Sequence, residues 1–440
     1  MNAAGCYGLM LALLSMGAGK VGAAPTPMSE TLKEDGTTLI ECDVRDVKEN
    51  MAVYSRMDGG ANNPAKSQKT TEYHYTLYLP KGYHENKDFR YPCLFISSPG
   101  GNAKMGAMAE RLKRDEWVVV MLQEAKNGST DWLRNFLAAH DDVVERVRIA
   151  KGAKYCTGLS GGARASSVYA LMRPGVAGII CQAAGFAYEF EPPRNIYESY
   201  PSDILVAGSY GDTDSNLFES MEILRNLKKS KSQVRYFKGG HAWCPESTFS
   251  SLLDWMEAAS FLSSTKPVNT MGPRPVTVQK SKGTPKVESL GPEAFQWYLR
   301  KCKRGLDAAQ GNPERALVLE RLLTVVANGK LEQNKAIAVE TQAWKSELAK
   351  IKQTKEVVDF TKTARKAYTD AQAAEAACMM QLRKGAPEYK NLKISPAEIQ
   401  ALKRVVVAYR AVEKNYPESS FAGASRDAAD SWEVALSKAQ

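Results

Sequence analysis

Tyr155-Cys156-Thr157-Gly158-Leu159-Ser160-Gly161-Gly162-Ala163-Arg164-Ala165-Ser166 decides how the rest of this 440-residue chain is read. An apolar run ends at Gly158, a serine stands between glycines, and small residues with helical character follow (Ala163, Ala165, Ser166, Ser167, Ala170). The pattern is Gly-x-Ser-x-Gly, which predicts a strand, a sharp turn and a helix. Such a turn strains the backbone at Ser160, and the helix closes on the strand only if Gly158 and Gly162 carry no side chain. The serine hydroxyl then stands at a helix N-terminus, whose free amides favour a developing negative charge. An ordinary strand-to-helix turn can carry the same short pattern, so its meaning depends on what flanks it.

Residues 37–44 and 73–79 alternate apolar and polar side chains, as two strands of an antiparallel pair would. An apolar strand from Tyr91 ends in the turn Ser98-Pro99-Gly100-Gly101-Asn102. Further strands are predicted at residues 117–122, 154–157, 178–182, 203–207 and 234–237. Helical patterns lie between most of them, at 104–114, 131–149, 216–229 and 247–262. Near-continuous apolar strands alternating with helices imply an α/β fold, a mostly parallel sheet covered on both faces. Chemistry in such a sheet gathers at the carboxyl ends of the strands. Those ends carry Ser98 to Gly101, then Ser160, then Asp212 and Asp214, then His241: a serine, an acid and a histidine in that order along the chain.

Residues 72–262 resemble the α/β-hydrolase superfamily and, within it, secreted feruloyl and acetylxylan esterases and polyhydroxybutyrate depolymerase-like esterases. The resemblance rests on five pieces: Leu79-Pro80-Lys81-Gly82-Tyr83, the glycine turn after Tyr91-Pro92, the elbow Gly158 to Gly162, Gly211-Asp212-Thr213-Asp214-Ser215-Asn216, and Gly239-Gly240-His241-Ala242-Trp243. It implies a serine esterase acting through an acyl-enzyme, with Ser160 as nucleophile and His241 as general base. The acid is implied at Asp214, three residues after the glycine, with Asp212 as the alternative. Side chains two apart in a loop cannot both meet one imidazole. The oxyanion hole is implied to combine the amide of Gly161 with one from the turn after the third strand. Relatives commonly carry His-Gly in that turn, whereas this chain has Ser98-Pro99, and proline has no amide proton. The second donor is therefore expected at Gly100 or Gly101. Trp243 and Trp132 are candidates for a substrate pocket, with core packing as the other reading, and Arg164 either points into the cleft or pairs with a neighbouring carboxylate.

No metal or cofactor is expected. The other histidines, His74, His84 and His140, fall in a strand, a charged loop and a helix, and no His-x-x-x-His or Cys-x-x-Cys pair exists to hold a metal. An apolar fraction of 44% with 25% charged residues fits a globular chain with a real core, and the length suggests two or three domains. No apolar stretch beyond the N-terminus is long enough to cross a bilayer. Residues 1–23 read as a secretory signal, with an apolar core from Leu9 to Met16 and a small-x-small site at Val21-Gly22-Ala23, so export to a periplasmic or extracellular space is expected. Against this, no Lys or Arg precedes the core and Lys20 follows it, which leaves a cytoplasmic leader as the alternative. Removing Cys6 with a signal leaves seven of eight cysteines. Cys93, Cys156 and Cys181 sit in apolar runs as small buried hydrophobes, while Cys244 leaves open a disulfide that pins the His241 loop.

The hydrolase-like region is expected to span 24–263. After it, residues 264–290 are polar, basic and Pro/Gly-containing, and read as a linker. From Lys266 to Arg304 nine Lys or Arg stand against two Glu, a local +7 that supplies most of the chain's +10. Such a stretch either adheres to anionic polymers and membrane surfaces or serves as a solvated spacer. Residues 291–440 read as helices at 291–310, 313–328, 331–352, 355–384, 396–415 and 420–438. Asn312-Pro313-Glu314 and the capping box Ser395-Pro396-Ala397-Glu398 mark two helix starts. Tyr409, Val412, Tyr416-Pro417-Glu418-Ser419 and Phe421-Ala422 look like one unit of a tetratricopeptide-type hairpin. This half reads as a binding or spacing element, with a protein or envelope component as partner and no specific nucleic acid. Two rivals to the esterase reading stand: a serine peptidase of the same fold, for which the 18 residues 186–203 leave little room for a gate, and a catalytically silent scaffold.

Overall fold

Alternation along the strands assigns each side chain to one of two hydrophobic layers. In the computed structural model, which describes residues 32–43, 72–85, 87–129, 131–187, 200–227, 230–263, 289–384 and 394–439, eight strands form one sheet. They are β1 (Gly36–Asp43), β2 (Glu72–Leu79), β3 (Tyr91–Ser97), β4 (Val118–Leu122), β5 (Ile149–Leu159), β6 (Val176–Gln182), β7 (Leu205–Gly211) and β8 (Ser232–Phe237). Their spatial order is β1-β2-β4-β3-β5-β6-β7-β8. β1 and β2 pair antiparallel, as do β2 and β4, and every other pair is parallel. β3, β4, β7 and β8 are buried along their whole length, as a sheet covered on both faces requires. The leader at 1–23 and almost all of the linker at 264–290 lie outside the described residues.

Cys93, Phe95, Val118, Val120, Cys156 and Cys181 join one core, while Leu94, Ile96, Val119, Met121, Tyr155 and Ile180 join the other. The first core is closed by α2 (Asp131–Arg146), α3 (Gly161–Met172) and α4 (Glu219–Asn226), the second by α1 (Ala109–Arg114) and α5 (Glu246–Glu257). The C-terminal helices divide between the same two layers. α6 (Pro292–Ala308), α7 (Gly311–Gly329) and α8 (Lys335–Ile351) extend the second core, whereas α10 (Lys366–Lys384), α11 (Pro396–Asn415) and α12 (Ala422–Ala439) extend the first. Between them lies the short α9 (Lys355–Phe360), followed by a wider π turn at Thr361–Arg365. The helical half therefore clasps the sheet from both faces, α12 at the β8 end and α6 over β3 and β5.

Polar contacts hold that clasp. Glu375 of α10 accepts hydrogen bonds from Gln233 Nε2 (3.1 Å) and Arg235 Nη1 (2.5 Å) of β8, from Tyr409 Oη (2.7 Å) of α11 and from Trp432 Nε1 (2.7 Å) of α12. Arg225 of α4 pairs with Glu398 of α11 at 3.2 Å, both buried. On the other face, Lys301 of α6 meets Asp115 at 2.8 Å and also Glu257, and Glu257 in turn pairs with Arg111. The amide of Tyr236 donates to Ser431 Oγ at 2.7 Å, so α12 satisfies part of the open edge that β8 would otherwise expose.

The predicted elements are present with adjusted ends. β5 begins at Ile149 rather than 154, and β7 runs to Gly211, which brings Gly211 against the backbone of Gly239 and Gly240. α7 opens at Gly311, so Pro313 falls at its third position instead of its first, where an amide would lack an intrahelical partner anyway. The Ser395 capping box forms as expected. All seven described cysteines are free and buried, so Cys244 closes no disulfide. Among the described residues no helix is long and apolar enough to cross a membrane.

Candidate active site

The elbow forms because three backbones must meet where no side chain fits. A Cβ on Gly158 would lie 2.2 Å from the carbonyl carbon of Gly162, and one on Gly162 would lie 2.4 Å from the carbonyl oxygen of Ser97. Those glycines let α3 descend onto the ends of β5 and β3. Ser160 is held at φ 53° and ψ −120°, a strained conformation for a residue with a side chain, costing about 1–3 kcal/mol. Its amide donates to the carbonyl of Gln182 at 2.8 Å, and its own carbonyl accepts from Ala163 at 2.9 Å.

Two strands further on, the loops after β7 and β8 bring Asp214 to His241. His241 Nδ1 and Asp214 Oδ1 are 2.8 Å apart, with the carboxylate fully buried and the imidazole 38% exposed. An ionised carboxylate only accepts, so this bond puts the proton on Nδ1 and leaves Nε2 as the basic nitrogen. The amide of Asn216 also donates to Asp214 Oδ1 at 2.8 Å, fixing the acid from its own loop. Asp212 does something else: its Oδ1 accepts from the amide of Gly239 at 2.9 Å and ties the two loops together. Ser160 Oγ makes no hydrogen bond to a described residue, His241 included. Serine–histidine bonds of this kind are often loose before substrate arrives.

The turn after β3 separates the two expected oxyanion donors. The Gly101 amide donates to the carbonyl of Ser98 at 3.1 Å, closing a four-residue turn with Pro99 in its second position. Gly101 is thereby withdrawn as a donor, because its one N–H is engaged. The Gly100 amide donates to no described residue. Gly161 opens α3, where an amide has no partner inside the helix.

The remaining candidates have structural partners. Trp132 and Trp243 are both partly buried, packed against the first and second cores respectively. Arg164 pairs with Glu219 at 2.7 Å rather than pointing free into a cleft. His74 meets Glu124 at 3.0 Å, His84 Nε2 meets the carbonyl of Leu32, and His140 is buried against the Tyr169 hydroxyl. Burial holds the His140 imidazole well below its usual pKa, with Lys154 and Arg173 adding to the effect. Among the described residues no group of His, Cys, Asp and Glu could hold a metal.

Two residues escaped the sequence reading. Gln182, at the end of β6, donates to Thr157 Oγ1 and accepts from the Cys244 amide, both at 3.0 Å, which couples the elbow strand to the His241 loop. A glutamine closing the apolar run Gly178-Ile179-Ile180-Cys181 was the available signal. Asn127, in the loop after β4, lies against Gly161 and has no motif to announce it. A cleft of about 660 Å³ between β8, α5 and α12 is lined by Asp212, Lys238, Asp427 and Glu433, but neither Ser160 nor His241 reaches it.

The sheet order, with an antiparallel start, a serine elbow after β5, an acid after β7 and a histidine after β8, defines the α/β-hydrolase fold. No family model and no curated protein matches the chain. Among solved structures, the chain is similar to a ferulic acid esterase (14% identity, TM-score 0.33, covering 50% of this chain and 94% of that one). It is also similar to Est1E from Butyrivibrio proteoclasticus (16%, 0.30, 42% and 91%). A third is the acylaminoacyl peptidase of Pyrococcus horikoshii (13%, 0.36, 53% and 43%). These likenesses are too distant to carry an activity over to this chain.

Proposed function

We propose that the protein is a serine hydrolase of carboxylic esters, working through an acyl-enzyme without metal or cofactor. The observation that carries this reading is the 2.8 Å bond between His241 and buried Asp214, held in loops at the sheet edge where the strained Ser160 elbow stands. Ser160 Oγ attacks the ester carbonyl carbon as its proton passes to His241 Nε2. The carbonyl π pair moves to oxygen, and the amides of Gly161 and Gly100 are the donors for that charge. When the tetrahedral intermediate collapses, the C–O bond to the alcohol breaks and His241 returns the proton to the departing oxygen. Water, deprotonated by the same nitrogen, then releases the acid and restores Ser160. Asp214 keeps the imidazole in the required tautomer and stabilises it while charged.

The resemblance to feruloyl and acetylxylan esterases favours an acetyl or feruloyl ester on a carbohydrate, or a polymer ester, as substrate. The apolar leader from Leu9 to Met16 favours work outside the cytoplasm. One observation favours a second reading, a silent scaffold: the Ser160 hydroxyl is not bonded to His241. Hydrolysis of short p-nitrophenyl esters, beside Ser160→Ala and His241→Ala, separates the two. The esterase reading expects a loss of about 10⁴–10⁶ in kcat in either variant. A wild type with no turnover leaves the scaffold reading standing.

A further inference from the structure

We propose that Asn127 is a side-chain donor of the oxyanion hole, adding to the backbone amides a hydrogen bond that Pro99 cannot give. The inference rests on the reading of Ser160 as nucleophile.

The position of Asn127 is fixed from both sides. Its amide donates to the carbonyl of Pro99 at 2.8 Å, which binds its loop to the turn that carries Gly100. The same loop is secured by Lys126 donating to Glu124 (2.8 Å) and by Asn102 donating to Gln123 (2.8 Å). The side chain extends to the elbow. A Cβ built on Gly161 would lie 1.7 Å from Asn127 Oδ1 and 3.1 Å from Nδ2, so the carboxamide rests directly against the residue that follows Ser160. Asn127 thus bridges the two halves of the hole, its backbone on the Gly100 turn and its side chain on Gly161.

The carboxamide is also uncommitted. Neither of its atoms hydrogen-bonds a described residue, although its backbone is held. A half-turn about the Cβ–Cγ bond exchanges oxygen for nitrogen and presents an N–H donor at the place Oδ1 now occupies. A neutral carboxamide suits the task, because it donates to an oxyanion without a proton of its own to lose at working pH. The turn has particular need of it. Of its residues 99–101, Pro99 has no amide proton and Gly101 is bonded to the Ser98 carbonyl, which leaves Gly100. Gly161 itself fits this arrangement, since any side chain there would push the carboxamide away.

The test compares Asn127→Ala, Asn127→Asp and Gly161→Ala on p-nitrophenyl esters, with a boronic acid as transition-state mimic. Removing one oxyanion donor costs about 100-fold to 1,000-fold in kcat. We expect Asn127→Ala to lose that factor with KM changed less than about threefold, and the boronic acid to bind more weakly by a similar factor. Asn127→Asp keeps the shape but not the donor, so it should lose at least as much, whereas a merely structural role would be rescued by it. Gly161→Ala keeps its own amide and displaces the carboxamide, so adding Asn127→Ala to it should cost no more than about threefold further. Because Asn127 is exposed, melting temperatures should not move. Asn127→Asp turning over within about threefold of an active wild type, or Asn127→Ala turning over faster, overturns this proposal alone. A wild type inert to both esters and fluorophosphonate overturns the serine hydrolase reading and this proposal with it.

Discussion

Replacing Glu375 by Gln tests whether the C-terminal helices are part of the same folded body as the sheet. Glu375 is buried and accepts four hydrogen bonds, two from β8 and one each from α11 and α12. Burial alone would raise its pKa, but the adjacent Arg235 guanidinium and the donors from Tyr409 and Trp432 outweigh that and hold it below the ordinary glutamate value. A glutamine keeps one acceptor oxygen and removes the charge, leaving the buried Arg235 guanidinium without its partner. Breaking a buried pair from one side costs about 3–5 kcal/mol. At about 2–4 °C per kcal/mol for mid-sized chains, and less for longer ones, melting should fall by roughly 5–10 °C. Calorimetry, far-UV circular dichroism and thermal loss of ester hydrolysis should all shift together, because both cores run through the helices and the sheet. Helical signal lost early while activity keeps its wild-type midpoint would refute the reasoning.

Three further outcomes follow from the same geometry. The Glu375 contribution depends on ionisation of a group whose folded pKa is depressed, so it is complete above the unfolded value of about 4.3 and is lost as pH falls through the folded value below it. The gap in melting temperature between wild type and Glu375→Gln should therefore hold steady from pH 8 to about 5 and shrink below about 4. Asp214→Asn should lower kcat by about 10⁴, because a carboxamide can donate to Nδ1 and favour the wrong tautomer, whereas Asp212→Asn, which retains an acceptor for Gly239, should lose less than about tenfold in the same ester assay. In Gly162→Ala the new methyl would sit 2.4 Å from the Ser97 carbonyl oxygen, so α3 must retreat; a misplacement of about 1 Å costs on the order of 100-fold in kcat, readable against unchanged fluorophosphonate stoichiometry.

What could be read in the sequence was what local chemistry dictates. Gly158 is demanded by the Gly162 backbone within the same turn, so the elbow was visible although Gly162 answers to the Ser97 carbonyl of β3, and the apolar strands revealed which loops share an edge. The choice between Asp214 and Asp212 turned on where Gly239 lies, a contact between two loops that neither loop encodes alone. Gly101 was lost to the Ser98 carbonyl for a similar reason, since proline at the second position of a turn favours the closing bond that engages it. Asn127 meets Gly161 only after the sheet has assembled, and no spacing announces such a meeting. The C-terminal helices were legible as helices, with bounds close to those observed, but an apolar face does not say what it covers. The polar residues Gln233 and Arg235 inside an otherwise apolar strand were the trace of their docking partner, Glu375.

The central claim, that Ser160 is an activated nucleophile, is tested most directly by mapping the site of reaction. Purified protein is treated with a fluorophosphonate, digested and analysed by mass spectrometry, beside Ser160→Ala and His241→Ala. The account predicts about one adduct per chain on the peptide containing Ser160, none in Ser160→Ala, and labelling slowed by at least about 1,000-fold in His241→Ala. A wild type that stays unlabelled, or carries the adduct on another residue, would contradict it.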